Sequence, residues 1–124
     1  MIIGIGFDLV EISRIERLIE DARFLSKVYT QSEREYIKKQ GKSGAQSAAA
    51  MFAAKEAFSK ALGTGFRGFS PGSVSVEHDE YGAPYLSLSD EAEKAAEKLQ
   101  AEFLLTITHT DTTAGAVVIA QTKE

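Results

Sequence analysis

From Ile2 to Leu9 the chain alternates, with Ile3, Ile5, Phe7 and Leu9 on one side of an extended segment and Gly4, Gly6 and Asp8 on the other. This predicts a strand over residues 2–9 with one bulky face and one face cleared to the backbone. Two glycines on one face imply that another backbone or a ligand comes close there, with Asp8 at the end of the cleared strip. The period then turns helical. Ile12, Ile15, Leu18 and Ile19 make one apolar side, Ser13 with Glu16 offers a capping box, and Arg14 and Arg17 lie outside the stripe. Thr30 with Glu33 is a second capping-box signal, opening a short polar helix to about Gln40. Gly41-Lys42-Ser43-Gly44 reads as a loop that lacks the framing of a Walker phosphate loop. The longest helix is predicted from about Ala45 to Leu62, and it stops at Gly63, the residue type suited to a left-handed helix end.

Beyond a glycine-rich segment the alternation returns. Ser73 to Glu77 and Pro84 to Leu88, joined through Tyr81-Gly82-Ala83, predict a hairpin, and His78 falls in a polar, solvated turn. Ser89 caps a helix with an acidic first turn, Asp90 and Glu91, that ends near Glu102. Phe103, Leu105, Ile107 and His109 alternate inward on the next strand. A last strand, Ala114 to Ala120, follows the Thr110-Asp111-Thr112-Thr113 turn. The order is βααα-ββ-α-ββ, an α+β domain with an antiparallel sheet packed with helices. No linker or low-complexity segment divides residues 1–124, so a single domain is expected.

Composition narrows the classes. With no cysteine there is no disulfide framework, thiolate metal site or thiol nucleophile, which fits a reducing cytoplasm. The N-terminus has no basic segment and reaches Asp8 too soon for a signal peptide, and no apolar stretch approaches membrane-spanning length. A net charge of −4 does not favour bulk nucleic-acid binding. The charge is uneven, however. Residues 12–42 hold eight of the fourteen Lys and Arg against five acids, so an acidic partner would be drawn to this basic third.

Within the longest helix, Phe52, Glu56, Lys60 and Gly63 share one stripe, beside an apolar stripe of Met51, Ala54, Phe58 and Leu62. Glu56 with Lys60 one turn on is also the spacing of an ordinary solvated ion pair. Asp8 and Glu56 are the best carboxylate pair, and His109 is the histidine at the end of an inward strand face. Carboxylates with histidine suggest zinc or iron, but no pair has short-loop or helical ligand spacing. Oxygen ligands alone suit Mg²⁺, which keeps waters and shares itself with substrate phosphates. Lys60, Arg67 and the amides near Gly63 and Gly65 then become candidate phosphate contacts. Because that loop follows a helix C-terminus, where the dipole repels anions, side-chain cations and metal must supply the attraction. Such a site fits phosphoryl transfer. No Gly-x-Ser-x-Gly elbow suggests a hydrolytic triad.

The segment Gly4-Ile5-Gly6-Phe7-Asp8-Leu9-Val10-Glu11-Ile12-Ser13-Arg14-Ile15 resembles the opening motif of the holo-(acyl-carrier-protein) synthase family, the short bacterial 4′-phosphopantetheinyl transferases. Phe52 to Gly65 resembles its second motif. Lys27-Val28-Tyr29-Thr30 with Glu33, Gly82-Ala83-Pro84-Tyr85-Leu86 and Ile107-Thr108-His109-Thr110 are smaller matches, in the family's order and over nearly the whole chain.

The resemblance implies the 4′-phosphopantetheinyl transferase fold and a role in fatty acid biosynthesis. Phosphopantetheine would pass from coenzyme A to a serine of apo acyl carrier protein, releasing adenosine 3′,5′-bisphosphate. It implies Mg²⁺ held by Asp8 and Glu56, and a homotrimer with coenzyme A in clefts between subunits. Lys60 becomes the phosphate ligand and donor to the leaving group, and Glu56, directly or through a water, the base for the serine hydroxyl. Gly63, Thr64 and Gly65 would line the nucleotide, with His109 and Thr110 reaching it from a neighbouring subunit. Carrier docking falls to Arg14, with Arg17, Arg23 and Lys27. Many members carry a basic residue where this chain has Met51, which leaves that phosphate contact missing or supplied elsewhere, with Arg67 the nearest candidate. A non-catalytic coenzyme A or carrier-binding module would be expected to lose Asp8, Glu56 or Lys60, and all three are present. A purely structural trimer-forming domain leaves the cleared strand face unexplained.

Overall fold

The computed structural model describes residues 1–63 and 68–124. Ten elements follow in order: β1 (Ile2–Glu11), α1 (Ile12–Leu18), α2 (Ala22–Val28), α3 (Gln31–Lys39), α4 (Gly44–Leu62), β2 (Val74–His78), β3 (Pro84–Leu88), α5 (Asp90–Leu99), β4 (Ala101–His109) and β5 (Thr113–Thr122). Short 3₁₀ turns at Gly41–Ser43 and Pro71–Ser73 precede α4 and β2. The strands form a three-stranded antiparallel sheet in the order β1-β5-β4 and a separate β2-β3 hairpin. The expected α+β class with antiparallel pairing is what the chain adopts.

Helix α4 lies directly on the three-stranded sheet, and the cleared strand face is the reason it can. A Cβ on Gly4 would stand 2.0 Å from the Ala61 carbonyl oxygen, and one on Gly6 only 1.8 Å from that of Ala57. Alanines continue this close packing: Ala53, Ala54 and Ala57 on α4 and Ala114, Ala116 and Ala120 on β5 are buried. The close backbone approach read from Gly4 and Gly6 is therefore that of α4 itself. Gly63 ends the helix at φ +79° with its amide donating to the Lys60 carbonyl, as expected of that residue type.

A buried ion pair joins the layers. The Thr30–Glu33 capping box forms in full, and Glu33 then does more than cap. Its Oε1 lies 2.8 Å from Lys55 Nζ, and its Oε2 accepts from the Val76 amide at 2.8 Å. Lys55 also donates to the carbonyls of Pro71 and Val74. Both side chains are shut off from solvent, and among the described residues no buried side-chain polar atom lacks a partner. Burial pushes the Lys55 ammonium down from its ordinary value, with Glu33 pulling the other way. This contact binds α3, α4 and β2 to one another.

Four expectations change. No capping box forms from Ser13 and Glu16: β1 runs straight into α1 through Glu11, whose side chain caps nothing, and the Ile12 amide is held by the Thr112 carbonyl at 2.9 Å. An additional helix, α2, intervenes, capped by the Asp21 carboxylate on the Arg23 amide. Helix α5 ends at Leu99, because β4 begins at Ala101 and pairs Glu102 with Gln121 of β5. Ser89 precedes α5 as expected, but its hydroxyl turns to the Ser73 carbonyl instead of the helix.

The opposite face of β1 is bare. Ile5, Phe7 and Leu9 are 65, 57 and 61 % exposed, with Ile3 and, on β4, Leu104 also open to solvent. A face this apolar marks an interaction surface.

Candidate active site

Asp8 ends the cleared strip of β1 and faces α4, whose axis brings Glu56 and then Lys60 past it. Lys60 Nζ lies 3.0 Å from Asp8 Oδ1 and donates to the Phe7 carbonyl at 3.1 Å. Among the described residues Lys60 forms no ion pair with Glu56, so the spacing that suggested a helical salt bridge does not make one. Lys60 is nevertheless not free for phosphate until it gives up Asp8.

Glu56 is half-buried, and its carboxyl is raised above the usual carboxylate range by burial first and then by the negative charge of Asp8. Lys60 and Arg14 oppose that rise. Four charged groups from three elements thus act on one another: Asp8 from β1, Arg14 from α1, Glu56 and Lys60 from α4. The Arg14 guanidinium sits 5.7 Å from the centre of the Phe52 ring, which in turn stacks on Phe24. Sequence reading placed Arg14 on a docking surface but missed its place in this cluster. The signal available was Phe52, one turn before Glu56. Arg17, Arg23 and Lys27 are exposed on α1 and α2, as a docking surface requires.

Two carboxylates that repel each other suit an oxygen-liganded divalent cation, which would relieve the strain on Glu56. Among the described residues no group of three or more His, Cys, Asp or Glu could hold a metal. The remaining ligands would have to be water or substrate, the usual arrangement for Mg²⁺. Zinc or iron chemistry, considered from Asp8, Glu56 and His109, is not assembled within the described part of the chain.

His109 ends β4, with β5 between it and β1, so two strand spacings, about 10 Å, separate their axes. It is exposed rather than inward, and its Nδ1 lies 3.2 Å from the Thr110 carbonyl. The Thr110 hydroxyl accepts from the amides of Thr112 and Thr113 and so shapes the β4–β5 turn. One chain does not bring His109 and Thr110 to Asp8 and Glu56. Instead His109 borders a cavity of about 290 Å³ together with Tyr36, Met51, His78 and Ile107. His78, expected in a solvated turn, ends β2 half-buried and lies flat on Tyr36, ring centres 4.2 Å apart. A Cβ on Gly63 would meet nothing within 4 Å among the described residues. Thr64, Gly65 and Arg67 lie outside the described residues.

Comparison with known proteins shows the family of this chain. The model of the 4′-phosphopantetheinyl transferase superfamily matches residues 4–115. The holo-(acyl-carrier-protein) synthase of Treponema denticola is 43% identical over 122 residues, covering 98% of this chain and 99% of that one. A holo-(acyl-carrier-protein) synthase from Bacillus anthracis, solved in complex with CoA (3′,5′-ADP), superposes with a TM-score of 0.84 at 34% identity over 99% of both chains. That of Neisseria meningitidis gives a TM-score of 0.89 at 34% identity, over 98% of this chain and 99% of its own. With its first motif on β1 and its second on α4 meeting at Asp8, Glu56 and Lys60, the chain belongs to the 4′-phosphopantetheinyl transferase superfamily.

Proposed function

We propose that this chain transfers 4′-phosphopantetheine from coenzyme A to a serine of apo acyl carrier protein, as a holo-(acyl-carrier-protein) synthase serving fatty acid biosynthesis in the cytoplasm. The observation that carries this reading is the meeting of Asp8, Glu56 and Lys60 at the contact of β1 with α4. In the reaction the serine oxygen bonds to the phosphorus that bears pantetheine. The bond from that phosphorus to the bridging oxygen breaks, and adenosine 3′,5′-bisphosphate leaves. Glu56, whose burial and neighbour raise its proton affinity, takes the serine proton. Lys60, half-exposed at the mouth of the site, exchanges Asp8 for phosphate oxygens and stabilises the departing oxygen. Mg²⁺, held by Asp8 and Glu56, would neutralise phosphate charge when bound.

A homotrimer with sites at subunit interfaces belongs to the same reading. Two features support it: the bare apolar face of β1, and the separation of His109 and Thr110 from the carboxylates of their own chain. The nucleotide end of coenzyme A would then meet Gly63, Thr64, Gly65 and Arg67 of one subunit and His109 and Thr110 of the next. Arg14, Arg17, Arg23 and Lys27 would steer the acidic carrier.

The test is direct. The protein, apo carrier, coenzyme A and Mg²⁺ are incubated and the carrier is weighed by mass spectrometry. The mass of one phosphopantetheine should be added, and only with the divalent ion present. A competent carrier left unmodified overturns the proposal.

A further inference from the structure

Helix α4 sends two lysines to carboxylates of other elements, and the two pairs differ in kind. Lys55 and Glu33 are sealed from solvent, and two main-chain carbonyls complete the lysine's partners. Lys60 instead meets Asp8 with about half of its own side chain in water, 52% exposed. A pair open to solvent on one side is weak, because water and salt screen it and the lysine regains freedom on leaving. The first pair is built to stay, and the second can be exchanged.

Asp8 is the less accessible partner, its side chain 18% exposed, and its Oδ1 lies 3.0 Å from Lys60 Nζ. The Phe7 carbonyl accepts a second bond from the same ammonium at 3.1 Å, so Lys60 is held on the β1 side of the carboxylates. Its charge opposes the rise that Asp8 imposes on Glu56, and with Arg14 it brings the formal charges of this cluster to zero. A divalent cation seated on the same Asp8 oxygen would stand beside this ammonium, and like charges at that range repel. One oxygen cannot serve both cations at full strength.

We propose that Lys60 competes with the divalent cation for Asp8, so that the lysine itself sets how tightly the chain binds metal. The inference rests on the assignment of Mg²⁺ to Asp8 and Glu56 above and concerns the regulation of that site. The ammonium is a resident counter-ion that keeps the two carboxylates together, and metal binding requires it to swing outward. Its half-exposed side chain has solvent to move into, where the ammonium rehydrates. A lowered metal affinity is the consequence of keeping this lysine within reach of phosphate.

Binding of Mn²⁺ alone to the whole protein, read as loss of the free-ion electron paramagnetic resonance signal at constant pH and ionic strength, tests this. Lys60→Met should bind Mn²⁺ about tenfold more tightly than the parent, although it removes a polar group from the site. Adding Asp8→Asn to that variant should abolish the gain. Arg14→Gln removes a charge that also acts on Glu56 but, among the described residues, makes no ion pair with Asp8. It should tighten binding by about threefold at most. Equal tightening in Arg14→Gln and Lys60→Met overturns the proposal, since bulk charge and not the Asp8 contact would then govern the affinity. A gain that survives Asp8→Asn overturns it too. If the parent binds Mn²⁺ as tightly as Lys60→Met or more so, the metal assignment stands and only the competition falls. If neither binds Mn²⁺, the metal assignment falls and this inference with it.

Discussion

Lys60 pairs with Asp8 of β1, 3.0 Å away, and not with Glu56 on the preceding turn of its own helix. The choice follows from how closely α4 lies on the strand. With Gly6 leaving no Cβ in the way, the helix settles until a lysine one turn below Glu56 reaches over β1. The ammonium shields Asp8, whose side chain is only 18% exposed, while Glu56 keeps a raised pKa. In the proposed reaction, a cation that neutralises both carboxylates would release Lys60 toward phosphate, so arrival of metal would be coupled to readiness of the leaving-group donor.

Glu56→Gln should remove carrier modification by about a hundredfold or more while leaving the circular dichroism spectrum unchanged. It should also raise Tm at pH 7. Because the Glu56 pKa is raised by folding, the folded chain holds that proton more tightly than the unfolded chain. Its stabilising contribution is therefore full below the ordinary carboxylate range and lost as pH rises through the raised value. Gln cannot ionise, so the difference in Tm between the two proteins should vanish in acid. Mg²⁺ at a hundred times its Kd should stabilise the parent by about 2.7 kcal/mol and the variant far less. A variant of full activity removes the metal and base assignments.

Gly6→Ala places a methyl 1.8 Å from the Ala57 carbonyl oxygen, backbone against backbone, where no rotamer gives relief. Urea unfolding should show a loss of about 3 kcal/mol. The same substitution at Gly63 meets nothing among the described residues, and the positive φ opposes it, so about 1 kcal/mol is expected there. Equal losses at the two sites would contradict the packing account.

Lys55→Met strands Glu33 without its cation in the interior, and Glu33→Gln does the reverse, each at about 3–5 kcal/mol. The double variant should lose less than the sum, because neither leaves an unpaired buried charge. Additive losses in denaturant titrations would mean that the two side chains act independently.

Phe7→Asp puts a charge on the bare face of β1 without touching the α4 contact. Light scattering after size exclusion should show a trimer for the parent, as proposed, and a monomer for the variant, with carrier modification lost at the same protein concentration. A fully active monomer would overturn the shared-site arrangement and return His109 to a role within its own chain.

Much of this was legible in the chain itself. Among the described residues, alternation and helical period located all five strands and four of the five α-helices, because each presents an unbroken local pattern. The helix α2 was not among them: its cap is Asp21, and Phe24 stands where a capping box would carry Glu or Gln. Gly4 and Gly6 announced a close approach, and Glu33 announced a cap, since both are local properties of backbone space and reach. What approached the glycines and what Glu33 would hold depended on which helix the sheet received. Only the folded chain could set Lys60 on Asp8, bring Arg14 over Phe52 and join His78 to His109 around one cavity. Those pairs lie far apart in sequence, and local propensity carries no information about a partner that arrives through packing. The residue types at Asp8, Glu56 and Lys60 raised the expectation of a phosphoryl-transfer site; close backbone packing between β1 and α4 decided how their charges are paired.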